Sequence, residues 1–149
     1  MTQFFPSDGS YFPTGIYAQF LGADIPALCR KYHISSAPFC AASVAGLVLP
    51  ILRARKALHK VVRSADLLQR QMLGAQAGKF ITLYLPVEGE AKGPLIQELG
   101  EGLAELARST GAEPSPILPR SRAYKHVFAE MPLDPAMFIY GGFVVDPTV

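Results

Sequence analysis

Arg30-Lys31-Tyr32-His33-Ile34-Ser35 and Leu58-His59-Lys60-Val61-Val62-Arg63 are two short strand-like runs, with one helix-length apolar segment between them. On a strand, alternate side chains share a face. Lys31, His33 and Ser35 therefore share one face of the first run, and Lys60 and Val62 share one face of the second. If the two strands are neighbours, a histidine and two lysines meet over one sheet surface. The second run is ambiguous by one residue, because a slip in register exchanges Lys60 for His59 on that surface. A helix between two strands is also a crossover, which makes the strands parallel.

The segment between the runs begins at Pro38, a residue suited to the first helical turn, and stays apolar and alanine-rich through Lys56. It predicts a buried helix that Pro50 kinks or breaks in two. Arg53, Arg55 and Lys56 fall in the last turn, where positive charge suits the helix dipole. After the second run, Ser64 is an N-cap for a helix over about 65–73, closed by Gly74. Residues 79–85 are the clearest strand, with Ile81, Leu83 and Leu85 on one face and Phe80, Thr82 and Tyr84 on the other. Gly89 to Gly93 reads as a loop. Pro94 opens an amphipathic helix to about Ser109, striped by Leu95, Leu99, Leu103 and Leu106, with Gly111 as its C′ cap.

The flanks are less patterned. Residues 1–15 form an extended, Pro- and Gly-punctuated arm. Its aromatics (Phe4, Phe5, Tyr11, Phe12) either pack on the body or form a lid over a groove, and the first is favoured because termini need tying down. A short strand at 16–22 and a helical turn at 25–29 follow. Residues 112–123 hold three prolines and two arginines, so a loop, and strands near 124–129 and 137–145 close the chain. The order predicts one domain over 1–149. Its class is α+β or α/β, with helices packed against a mixed β-sheet.

Composition narrows the partners. Half of the 149 residues are hydrophobic and 17% are charged, so the chain is globular. A net charge of +2, with no Lys/Arg run interleaved with aromatics, argues against nucleic acid. The basic residues cluster at 53–63, 70–79 and 120–125, which suits a compact anionic ligand. Cys29 and Cys40 make no disulfide framework and fit a reducing cytoplasm. No signal peptide is visible. The apolar run at 37–52 is short for a membrane span and is interrupted by Ser43, Gly46 and Pro50, so no membrane partner is expected.

Four elements occur in register: Lys31-Tyr32-His33-Ile34-Ser35, His59-Lys60-Val61-Val62-Arg63-Ser64, Gly78-Lys79-Phe80-Ile81-Thr82-Leu83-Tyr84 and Tyr140-Gly141-Gly142-Phe143. In order and rough spacing they resemble the N-terminal lyase domain of class III and class IV lanthionine synthetases, itself similar to the phosphothreonine lyases of bacterial pathogens. The resemblance covers about residues 30–143. It implies β-elimination of phosphate from phosphoserine or phosphothreonine in a precursor peptide, giving dehydroalanine or dehydrobutyrine. It further implies Lys60 as the base and His33 as the acid. Lys31 matches a phosphate-side lysine, Arg70 lies near a phosphate-binding arginine, and Tyr84 matches a tyrosine bordering the site. A kinase and a cyclase are the protein partners such a pathway implies. The scheme requires no cofactor and no metal.

The residue types suit that chemistry. A free lysine titrates near ~10.4 and is a poor base at neutral pH. Neighbouring positive charge, here Lys31 and either Arg63 or Arg70, disfavours its ammonium form and also binds the departing phosphate. Histidine exchanges protons near pH ~6.5. Lys79, Arg120 and Arg122 are further phosphate-binding candidates, although Lys79 at a strand start and the two arginines in a loop could equally be solvated. Ile139 stands where the family commonly has a basic residue, and Val127-Phe128 where the pathogen enzymes place an arginine. Those departures keep two alternatives open: a non-catalytic subunit that presents precursor peptide to a kinase or cyclase, and an unrelated small α+β binding domain.

Overall fold

In the computed structural model the strand expected at 79–85 forms as β5, Ile81–Pro86. Its two faces differ as alternation requires: Ile81, Leu83 and Leu85 enter the apolar core, while Thr82 and Tyr84 occupy the other side. The structure describes residues 3–24, 29–74, 76–86, 92–113, 115 and 144–147. The other strands are β1 (Tyr11–Thr14), β2 (Tyr17–Phe20), β3 (Cys29–Ile34), β4 (Leu58–Val62) and β6 (Val144–Pro147); the helices are α1 (Ala41–Ala54), α2 (Ala65–Gln71) and α3 (Lys92–Thr110). The class is α+β, as expected.

The strands form one sheet in the order β1-β2-β4-β5-β3-β6, and every pairing is antiparallel. β3 and β4 both run antiparallel to β5, so they are parallel to each other, with α1 as the crossover. They are not neighbours, however, because β5 is inserted between them. This is the split βαβ arrangement; the β1–β2 hairpin extends it beyond β4. The expected strand at 30–36 stops at Ile34. Residues 11–14, expected in the arm, pair as β1. The expected strand near 124–129 and most of that at 137–145 lie outside the described residues, as does the helical turn except for Cys29, which begins β3.

One face of the sheet carries most of the core, and Tyr17 and Val62 of the other face join the same cluster with Leu68 of α2. Tyr32, Ile34, Val61, Ile81 and Leu83 join Val44, Val48 and Leu52 of α1 and Leu95, Leu99 and Leu103 of α3 in one cluster. Each such side chain contributes roughly 1.5–3 kcal/mol on burial. α1 buries positions 41, 44, 45, 48, 49 and 52, the spacing of one helical face. It is therefore amphipathic rather than buried all round. Pro50 lies inside α1 without ending it. Pro50 and Gly46, the residue whose carbonyl loses its partner, are both exposed, so water can satisfy that carbonyl. Ser64 caps α2 by accepting from the Leu67 amide at 3.5 Å, and Gly111 takes a φ of 73° just past α3; both were expected.

The N-terminal aromatics pack on the body. The Phe4 ring meets Phe80 edge-on at 4.9 Å, and Phe5 lies 5.4 Å from Tyr11. Arg53 sits over the Tyr11 ring and pairs with Asp8 at 2.8 Å. Among the described residues no helix is long and apolar enough to cross a membrane.

His59 settles the register of β4. It is fully buried on the core face, stacked on Phe20 at 4.9 Å. Its Nδ1 is 2.7 Å from the Ala57 carbonyl and its Nε2 is 2.7 Å from the Tyr11 hydroxyl. A carbonyl can only accept, so Nδ1 carries the proton and Nε2 accepts from Tyr11. Burial, against the opposing pull of the Ala57 carbonyl, lowers this imidazole to about 4. The unfolded chain takes up a proton near pH ~6.5, well before the folded one does. Stability from this site is therefore complete above about pH 6.5 and falls as pH drops toward 4, by about 3 kcal/mol. Urea unfolding at pH 7.5 and 4.5 should show this loss, and His59→Gln should abolish much of the difference. An unchanged pH dependence in the variant would remove His59 as its source.

Candidate functional site

Lys60 stands opposite Thr82 in the β4–β5 ladder, and Thr82 stands opposite His33 in the β3–β5 ladder. Directly opposed residues point to the same side of a sheet. Lys60, Thr82 and His33 therefore form one row on the face away from the core. Two strand steps, each about 5 Å, separate the backbones of Lys60 and His33. The proximity expected from adjacent strands is thus replaced by a row of three, with Thr82 in the middle.

Thr82 is 1% exposed and His33 is 2% exposed. Thr82 Oγ1 lies 3.1 Å from His33 Nδ1, which fixes the ring plane. Thr82 was not singled out from sequence, although its alternation with Ile81 and Leu83 placed it on this face. Lys60 is half-buried. Its Nζ lies 4.4 Å from the centroid of the Tyr17 ring and 5.9 Å from that of Tyr84. Tyr84 thus lies near Lys60. Tyr17 comes from β2, a segment to which sequence reasoning gave no role.

The remaining expected residues separate. Lys79 is buried, 3% exposed, rather than solvated at the strand start. Its carbonyl accepts from the Tyr17 hydroxyl at 3.2 Å and from Gln71 Nε2 at 2.9 Å. For Lys31 the description extends to its backbone register opposite Tyr84. Arg63 and Arg70 line a cleft of about 430 Å³ with Gln3, Phe5, Ser64 and Asp66. Neither Lys60 nor His33 lines it. Alternation explains the separation: Arg63, just past β4, is three residues from Lys60 and so falls on the opposite side. Arg63 Nε is buried there without an acceptor among the described residues. Arg120, Arg122 and Tyr140-Gly141-Gly142-Phe143 lie outside the described residues.

The arrangement sets a histidine and a lysine on the strands either side of Thr82, with two phenol rings beside the lysine amine. Burial holds the Tyr17 phenol well above its ordinary range, so it stays neutral. Such a site can hold an anion at the lysine and move a proton at the histidine. No protein-family model matches the chain, and no curated protein matches it.

Thr82→Val keeps the side-chain shape and removes the hydroxyl from beside His33. The buried imidazole nitrogen then loses its partner, which should cost about 1–3 kcal/mol. Urea unfolding reads this directly. A variant as stable as wild type would mean that the 3.1 Å contact contributes nothing.

Proposed function

We propose that this protein is a metal-independent lyase that eliminates phosphate from phosphoserine or phosphothreonine in a precursor peptide. The observation that carries the reading is the row Lys60–Thr82–His33 on one face of the sheet. Two segments 27 residues apart, 60 less 33, deliver a base candidate and an acid candidate to the same side. The four-part resemblance supports the same assignment independently.

In this reaction neutral Lys60 Nζ removes the α-proton of the phosphorylated residue. The electron pair released forms the Cα=Cβ double bond, and the Cβ–O bond to phosphate breaks. His33, protonated, hands its proton to the departing phosphate oxygen. The products are a dehydroamino acid in the peptide and inorganic phosphate, with Lys60 left as ammonium and His33 neutral. Thr82 orients the imidazole through Nδ1. Lys31, Lys79, Arg120 and Arg122 remain candidate phosphate partners. Arg63 and Arg70, gathered in their own cleft away from Lys60 and His33, are weaker ones. The pathway setting is the cytoplasm, beside a kinase that supplies the phosphopeptide and a cyclase that consumes the product.

The 2% exposure of His33 favours a second reading, a non-catalytic subunit that holds precursor peptide for a kinase or cyclase. Catalysis requires the chain covering that ring to give way to substrate.

Mass spectrometry of a phosphorylated serine- or threonine-containing peptide incubated with the protein decides between them. The lyase reading expects loss of phosphoric acid from the peptide without added metal. Lys60→Ala and His33→Ala should each slow it by on the order of a hundredfold or more. Intact phosphopeptide under conditions where it binds would establish the holding role instead.

A further inference from the structure

The Tyr17 ring is held unusually firmly for a residue of an edge hairpin. It is 7% exposed. Its hydroxyl accepts from Gln71 Nε2 at 2.9 Å, and its own hydrogen lies within reach of the Lys79 carbonyl at 3.2 Å and Gln76 Oε1 at 3.3 Å. β2 supplies the ring, α2 supplies Gln71, and the turn before β5 supplies the rest. Against that fixed ring lies the Lys60 amine, 4.4 Å from the centroid, well inside the range of cation–π attraction.

The register explains why the two meet. Lys60 pairs with Gln19 on one side and Thr82 on the other; Tyr17 pairs with Val62, and Tyr84 with Leu58. Tyr17 and Tyr84 are thus diagonal neighbours of Lys60, at opposite ends, within reach for aromatic and long side chains. The nearer ring is the one anchored by α2.

We propose that Tyr17 is the positioning residue for Lys60, its ring face holding the amine on the face of the sheet that Thr82 and His33 share. The catalytic meaning of that role rests on the lyase reading; the contact itself does not. Among the described residues, the Tyr17 and Tyr84 rings lie near the amine; Gln19 and Thr82 flank Lys60 in register, His33 lies beyond Thr82, and Lys31 stands opposite Tyr84. A ring face attracts the ammonium more than the neutral amine. Tyr17 therefore restrains the proton on Lys60 as well as its position, and the N-terminal hairpin becomes part of the site.

The test is an NMR titration of the reductively ¹³C-methylated full-length protein, with the Lys60 signal assigned by its absence in Lys60→Arg. Tyr17→Leu should lower the Lys60 midpoint by about 0.4 to 1.5 units, the cation–π range converted at 1.36 kcal/mol per unit. Tyr17→Phe keeps the ring and should stay close to wild type. In wild type the Lys60 methyl resonance should already be displaced upfield by the ring, a measurement that does not depend on Tyr17→Leu folding. An unshifted midpoint in folded Tyr17→Leu, or a Lys60 resonance at the position of solvent-exposed lysines, would overturn the proposal. Where phosphopeptide is consumed, the acidic limb of the pH–rate profile should move with the midpoint in Tyr17→Leu and not in Tyr17→Phe. Loss of the lyase reading shows instead as intact phosphopeptide with the Lys60 titration behaving as expected.

Discussion

Everything at the candidate site depends on Thr82 being paired on both sides. β5 joins β4 and β3 through backbone ladders in which Lys60 and His33 are both set against Thr82. Backbone hydrogen bonding thus brings together two residues far apart in sequence. Register is stiff here because the opposite face is core: a shift of one residue would drive Ile81 and Leu83 out of the apolar cluster and Thr82 into it. The hydrophobic face therefore enforces the alignment of the polar face.

β4 shows the same division within adjacent residues. His59 and Lys60 follow one another, and the sheet sends them to opposite sides. His59 sits in the core, kept neutral by burial and satisfied by Ala57 and Tyr11. Lys60 lies over a tyrosine ring on the other face. One histidine of the pair His33 and His59 is thereby structural. The N-terminal hairpin contributes to both faces, with Tyr11 bonded to His59 and Tyr17 beneath Lys60. An element that reads as a peripheral extension of the split βαβ core completes its packing and borders its polar surface.

Among the described residues, the basic side chains expected at one site are not gathered in one place. Arg63 and Arg70 gather in a cleft beside the N-terminal segment and the start of α2, away from the Lys60 row. Lys79 is buried near Tyr17 and Gln71. Clustering along the chain suited a compact anionic ligand. Strand alternation and the turn into α2 distribute these charges over different surfaces.

Much was legible in the residues alone. The alternation of Ile81, Leu83 and Leu85, the Ser64 cap and the Gly111 stop are local rules, readable within a few positions. So was the placing of Lys60 and His33 on strands with a helix between them. The choice of Lys60 over His59 was not, because alternation is blind to a shift of one until the buried face is known. Nor was the insertion of β5 between β3 and β4. Strand adjacency is decided by long-range pairing and by which apolar faces can share one core, and neither leaves a local mark. Tyr17 and Thr82 stayed unnoticed for the same reason. A tyrosine and a threonine in short strands look like any β-formers until the tertiary fold sets one beneath an amine and the other against an imidazole.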